Sequence, residues 1–95
     1  MSKNNFVVSR MFCCSCGQEG IPITRRKGQT REPGHLKKLY CIHCGKEWNH
    51  VEIRQMSKKY TYEDFEIEML YNNFDSEGNR KIPFKQLKKE ILYNE

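Results

Sequence analysis

The residues whose types and spacing carry chemistry are the five cysteines. They fall in two tight groups, Cys13, Cys14 and Cys16, then Cys41 and Cys44. Two C-x-x-C-G units result, Cys13-Cys14-Ser15-Cys16-Gly17 and Cys41-Ile42-His43-Cys44-Gly45, with 24 residues between Cys16 and Cys41. Two intervening residues let a tight turn aim both sulfurs at one point about 2.3 Å away, while N–H groups of the turn donate to the thiolates. Glycine after the second cysteine permits the positive φ such a turn requires. One unit supplies half a tetrahedron and the second closes it. An odd number of cysteines in a chain with no export signal argues against a disulfide framework. The spacing therefore predicts a metal held by Cys13, Cys16, Cys41 and Cys44, with a pair of buried or redox-active thiols as the alternative. Zinc accepts four thiolates and has no redox chemistry, which makes it the default ion. Cys14 is left over as a small unused neighbour. His43 is only two residues from Cys41 and is a poor substitute ligand, while His35 and His50 read as ordinary surface or packing residues. Haem attachment would need a histidine after the second cysteine, where Gly45 stands.

The elements that position these knuckles have little apolar material to work with. The chain has 95 residues and a mass of 11.4 kDa, is 37% hydrophobic and 31% charged, and has a mean hydropathy of −0.88. A core this lean needs another source of stability, which a metal supplies. The length excludes barrel and dinucleotide-binding enzymes. No apolar run exceeds four residues, against about 20 needed to cross a bilayer. The first twelve residues hold no signal-like stretch, so the expected location is the cytoplasm. The reading is α+β: strands over 21–27, 36–41 and 47–54 in a three-stranded antiparallel sheet, with a Gly- and Pro-containing loop over 28–34. Two short helices follow. Thr61 and Asp64 form a capping box with Asp in place of Glu, ahead of an apolar side of Phe65, Ile67, Met69, Leu70 and Tyr71. Pro83 suits a first helical position, before Phe84, Leu87 and Ile91 at i, i+3 and i+7. The expected division is an arm over 1–10, a metal-binding unit over 11–59 and a helical extension over 60–95. The extension's aromatics, Tyr60, Tyr62, Phe65, Phe74, Phe84 and Tyr93, suggest a small second core closing over one face of the sheet, with any apolar remainder left exposed as a docking site for a partner or a second copy.

Across about residues 11–54 the two knuckles resemble the zinc-ribbon family. That resemblance implies a knuckle at the entry, a β-hairpin, a second knuckle and a third strand leaving it. Rubredoxins are similar in their knuckles and hold iron, but are acidic in character, so iron stands as the competing metal. The small, basic, Lys- and Asn-rich chain also looks like the accessory proteins of low-GC bacteria and their phages. Some polymerase-associated ribbons carry an acidic pair at the hairpin tip that assists transcript cleavage. The tip here, Gln29-Thr30-Arg31-Glu32, has one acid, and that activity is not carried over.

Charge is uneven along the chain. Residues 1–60 carry 12 − 4 = +8 and residues 61–95 carry 5 − 8 = −3, summing to the net +5. The cations Arg25, Arg26, Lys27, Arg31, Lys37 and Lys38 surround the expected hairpin, and Tyr40 and Trp48 are candidate stacking platforms or core residues. Such a patch would neutralise phosphates with steep salt dependence. The expected partner is accordingly nucleic acid or a nucleic-acid-processing complex. The rival is an adaptor or inhibitor that binds another protein. No phosphate-cradling loop, metalloprotease helix or nucleophile elbow occurs, and four protein ligands leave no open coordination position, so the expectation is a non-enzyme without a small-molecule substrate. Asp75 to Ile82 resembles the start of a calcium loop, but the sixth position is Arg80 and the twelfth Gln86, where the chemistry requires Gly and Glu.

Overall fold

The computed structural model describes residues 5–29, 31–54 and 57–93. The fold is α+β. It runs β1 (Phe6–Cys13), β2 (Ile23–Arg26), a 3-10 turn (Lys27–Gln29), β3 (Leu36–Cys41), β4 (Lys46–Arg54), α1 (Tyr62–Leu70) and α2 (Phe84–Tyr93). The strands form one antiparallel sheet in the order β2-β1-β4-β3. No helix among the described residues is long and apolar enough to cross a membrane.

The sheet has four strands, where the sequence suggested three. The strand not foreseen is β1, which begins at Phe6 inside the stretch read as an arm over 1–10 (residues 1–4 lie outside the described residues). Its β-branched Val7 and Val8 and aromatic Phe6 and Phe12 suit a pleated surface. It is an interior strand, pairing with β2 on one side and β4 on the other. The consequence is topological. β2 and β3 lie at opposite edges of the sheet, not side by side in a hairpin, and three inter-strand gaps of about 4.8 Å put them about 14 Å apart. The connection between them is tied to β4, where Gly34 N–H donates to the Glu52 carbonyl at 2.8 Å and Glu52 N–H to that of His35 at 2.9 Å.

Side-chain alternation then assigns the faces. Phe12 and Val51 are directly opposite in the β1–β4 register, and both enter the core with Ile53. Tyr60, Phe65 and Phe74 complete the same cluster, with half-buried Leu36, Trp48, Met69 and Phe84 packed against it. Phe12, Phe65 and Phe74 stack in a row, with ring centroids 5.6 and 6.1 Å apart. The tail aromatics thus share one core with the sheet and do not build a second one. Tyr93 stays out of it, 84% exposed.

Helix α1 has the expected start. Thr61 Oγ1 accepts from the Asp64 N–H, and Asp64 Oδ2 accepts from the Thr61 N–H at 2.9 Å. It stops where Asn72 takes φ +56°, a conformation Asn tolerates at helix ends. Its buried face differs from the expected one. Phe65 is inside, but Leu70 is 79% exposed and the other fully buried α1 residue is Glu68. Pro83 precedes α2 by one residue, and its carbonyl accepts the Leu87 N–H at 3.0 Å, so it caps the helix instead of opening it. Between the helices, Asp75 Oδ1 accepts from the N–H groups of Glu77 and Asn79 at 2.8 and 3.0 Å, an Asx-type turn completed by Gly78 at φ +81°.

Candidate metal centre

Strand β1 ends at Cys13 and turns directly into the first knuckle, while the second knuckle is the connection between β3 and β4. Pairing of Cys13 with His50 and of Cys41 with Lys46 brings both to one end of the sheet. The two turns are built alike. Gly17 N–H donates to the Cys13 carbonyl and Gly45 N–H to that of Cys41, each at 2.8 Å. Both glycines sit at positive φ, +76° and +74°, where a side chain would be strained. Backbone N–H groups point at the sulfurs: Ser15 at Cys13 Sγ (3.3 Å), Gln18 at Cys16 Sγ (3.5 Å) and Cys44 at Cys41 Sγ (3.4 Å).

The four sulfurs lie within 4.8 Å of one another. Across the two knuckles, Cys13 Sγ to Cys44 Sγ is 3.8 Å and Cys16 Sγ to Cys41 Sγ is 3.7 Å. A tetrahedron of sulfurs about 2.3 Å from a central ion has edges of about 3.8 Å. The cage therefore has the size and donor set for one thiolate-bound ion, compatible with a zinc-ribbon-like site. Burial and hydrogen bonding divide the thiols. Burial pushes Cys13 up to about 12, and also raises Cys16. Burial also pushes Cys41 upward, but the N–H groups of Cys44 and His43 and the thiols of Cys16 and Cys13 outweigh it and hold Cys41 at about 7. Cys14 is outside the cage. Its side chain belongs to the hydrophobic core, which raises its thiol, and its N–H donates to the Asn49 carbonyl at 2.9 Å.

The six cations singled out from the sequence do not form one patch. Arg25 forks onto Glu52, with Nε to Oε2 at 3.0 Å and Nη2 to Oε1 at 2.9 Å, while Ser9 Oγ donates to the same carboxylate at 2.6 Å. Arg25 is thus the partner of a carboxylate only 1% exposed, not a free phosphate ligand. Lys37 stands opposite His50 and shares the sheet face of Glu52, whereas Lys38 stands opposite Asn49 on the other face. Arg26 stands opposite Phe6, its guanidinium 5.8 Å over that ring. Lys27 lies in the 3-10 turn and Arg31 in the connection to β3, both exposed. Of the aromatic pair, Trp48 packs on the core and Tyr40 is 57% exposed. The tip at Thr30 lies outside the described residues.

Sequence reasoning missed the buried polar networks. Glu68, fully buried on α1, takes Arg80 Nε at 2.8 Å on Oε2 and Arg80 Nη2 at 2.9 Å on Oε1. Its carboxylate also accepts from Tyr60 Oη and from Asn73 Nδ2, the latter at 2.7 Å. Asn73 continues to Ile82, donating to its carbonyl at 3.0 Å and accepting from its N–H at 3.2 Å. The one sequence signal was that Glu68 falls three residues after Phe65, on the inward stripe of α1. Comparison of the chain with protein-family models, with curated proteins and with solved structures finds no match.

Proposed function

We propose that the chain is a non-enzymatic binding module stapled by zinc, acting as a regulatory or accessory component on nucleic acid or on a nucleic-acid-processing complex. The observation that carries it is the sulfur cage. Edges of 3.7 and 3.8 Å suit four thiolates on one zinc, a closed shell with no position for a reacting water. Zinc is favoured over iron because it accepts four thiolates without redox chemistry, and because the iron-holding rubredoxins are acidic whereas residues 1–60 carry +8. The contact half of the reading rests on charge. The net charge is +5, and only three ion pairs occur among the described residues, so most of the 17 Lys and Arg face solvent without a fixed counter-charge. Polyanions release counterions on meeting such a surface.

Titration of labelled DNA and RNA at two salt concentrations tests it, and no binding even at low salt removes the nucleic-acid half. The adaptor reading draws on Leu70, Leu92 and Tyr93, which stand 79%, 70% and 84% exposed on the helices. Capture from the native host with and without nuclease separates the two: a stoichiometric protein that survives nuclease favours the adaptor.

A further inference from the structure

At the end of the sheet away from the sulfur cage, three adjoining hollows run around Pro33, with volumes of about 600, 540 and 370 Å³. Pro33 lines all three, Lys59 joins the first two, and Gly34 the last two. Their walls carry Arg54, Lys58, Lys59, Lys85 and Arg31, and Glu32 is the one acid among the lining residues. Arg80, also in the lining, is spent on Glu68. None of those five cations forms an ion pair with another described residue. Arg54 Nε is buried and donates to no acceptor among the described residues, a cost that an incoming anionic oxygen would relieve. The floor between the charges is apolar, with Val8 in one hollow and Phe84 in the next. Phe6, on the same face of β1 as Val8, adds an aromatic ring at the margin, the two being 53% and 54% exposed.

Resting on the reading above that the partner is a nucleic acid, we infer that this groove, and not the β2–β3 loop alone, binds a single-stranded segment. Cations on the walls meet phosphates while bases lie on the apolar and aromatic floor. A duplex keeps its bases stacked inside and would leave that floor unfilled. The groove is created by the helical half: Lys59 and Lys85 flank Tyr60 and Phe84, which hold the helices to the sheet.

The test is fluorescence anisotropy of the zinc-loaded full chain with labelled oligo-dT and oligo-U of about 12 nucleotides. Their duplex counterparts and a labelled poly-glutamate peptide serve as comparisons. The charge-reversal triple variant Lys58→Glu, Lys59→Glu, Lys85→Glu alters three exposed side chains. It should weaken single-strand binding at least tenfold and flatten the log–log salt slope by about 2, from about 0.7 per phosphate contact. Lys37→Glu with Lys38→Glu, on β3 but outside the lining of the hollows, should cost much less. Equal losses from the two variants, or an unaffected triple variant, overturn the groove while leaving nucleic-acid binding intact. Tighter binding of the duplex, or of poly-glutamate, overturns the single-strand assignment. Wild-type protein that binds none of the oligonucleotides overturns the underlying reading itself. Unchanged metal content and circular dichroism of each variant confirm that it is folded.

Discussion

Removing the metal should destabilise the whole chain, not just the knuckles. An ion bound by the four sulfurs would clip Cys16 to Cys41 across 41 − 16 = 25 residues of chain. Closing a loop of that length removes about 3.5 kcal/mol of chain entropy from the unfolded state in the cross-link model. A domain of this size has about 5–14 kcal/mol of stability in all, so the clip accounts for a quarter to more than half of it. The corresponding loss in melting temperature is about 14–28 °C. The helices should melt with the sheet, because Phe65 and Phe74 share one cluster with Phe12 and Val51. Far-ultraviolet circular dichroism and Trp48 fluorescence, followed through a thermal ramp with and without chelator under reducing conditions, measure this. Elemental analysis before the ramp should give one zinc per chain. Cys41→Ser should reproduce the chelated melt, whereas Cys14→Ser should keep full metal stoichiometry, since Cys14 packs in the core. A chelator shift below about 5 °C would refute the cross-link reasoning. Loss of metal in Cys14→Ser would show that the cage draws on a different cysteine.

Three further outcomes follow from the polar networks and turns. Glu68→Ala strips the partner from Arg80 and from Tyr60 and should cost about 3–5 kcal/mol in urea unfolding of the metal-loaded protein. A double cycle with Arg80→Ala should then be strongly non-additive, and additive single losses would contradict a shared network. Glu52 is held below the usual carboxylate range: burial raises it, but the Arg25 and Ser9 hydrogen bonds outweigh that. Its folded-state value being depressed, its contribution is present above about pH 4.3 and fades as pH falls through that lower value. The stability difference between wild type and Glu52→Gln should therefore shrink with acidification, and a difference independent of pH would count against the pair. Gly78→Ala puts a Cβ 3.0 Å from Trp48 Nε1 at φ +81° and should cost more than about 1 kcal/mol with a shift in Trp48 emission.

How much of this was legible depends on whether a feature is written locally. The knuckles, the capping box at Thr61 and strand β3 are encoded by neighbouring residues, and spacing alone located them. Strand β1 was obscured because Ser9 and Arg10 interrupt its apolar run. Ser9 is nonetheless fully buried because Glu52, 43 residues away, accepts its hydroxyl proton. Arg25 looked like a phosphate ligand for the same reason: its counter-charge comes from a strand on the far side of β1. Glu68 was similarly invisible, since a carboxylate becomes a core residue only when Arg80, Tyr60 and Asn73 converge on it. Polar residues read as surface until their long-range partners are known, just as Leu70 and Tyr93 read as core until the buried faces of the helices are known.

Such long-range pairing also explains why the basic surface moved. Arg25 and Arg80 are withdrawn into the fold by carboxylates, while Lys58, Lys59 and Lys85 have none and converge on Pro33. The sulfur cage and this groove sit at different places yet share one support. Cys14, between two ligands, belongs to the same cluster as Tyr60, and Tyr60 lines the groove and presses on Gly34, where a Cβ would lie 2.9 Å from its ring. A cage that loosens at Cys13 and Cys16 frees Cys14, and the packing around Tyr60 loosens with it. The metal's contribution to binding is then mechanical. It would hold a rigid core whose opposite end keeps five cations in one array, so chelation should weaken polyanion binding without any ligand touching the ion.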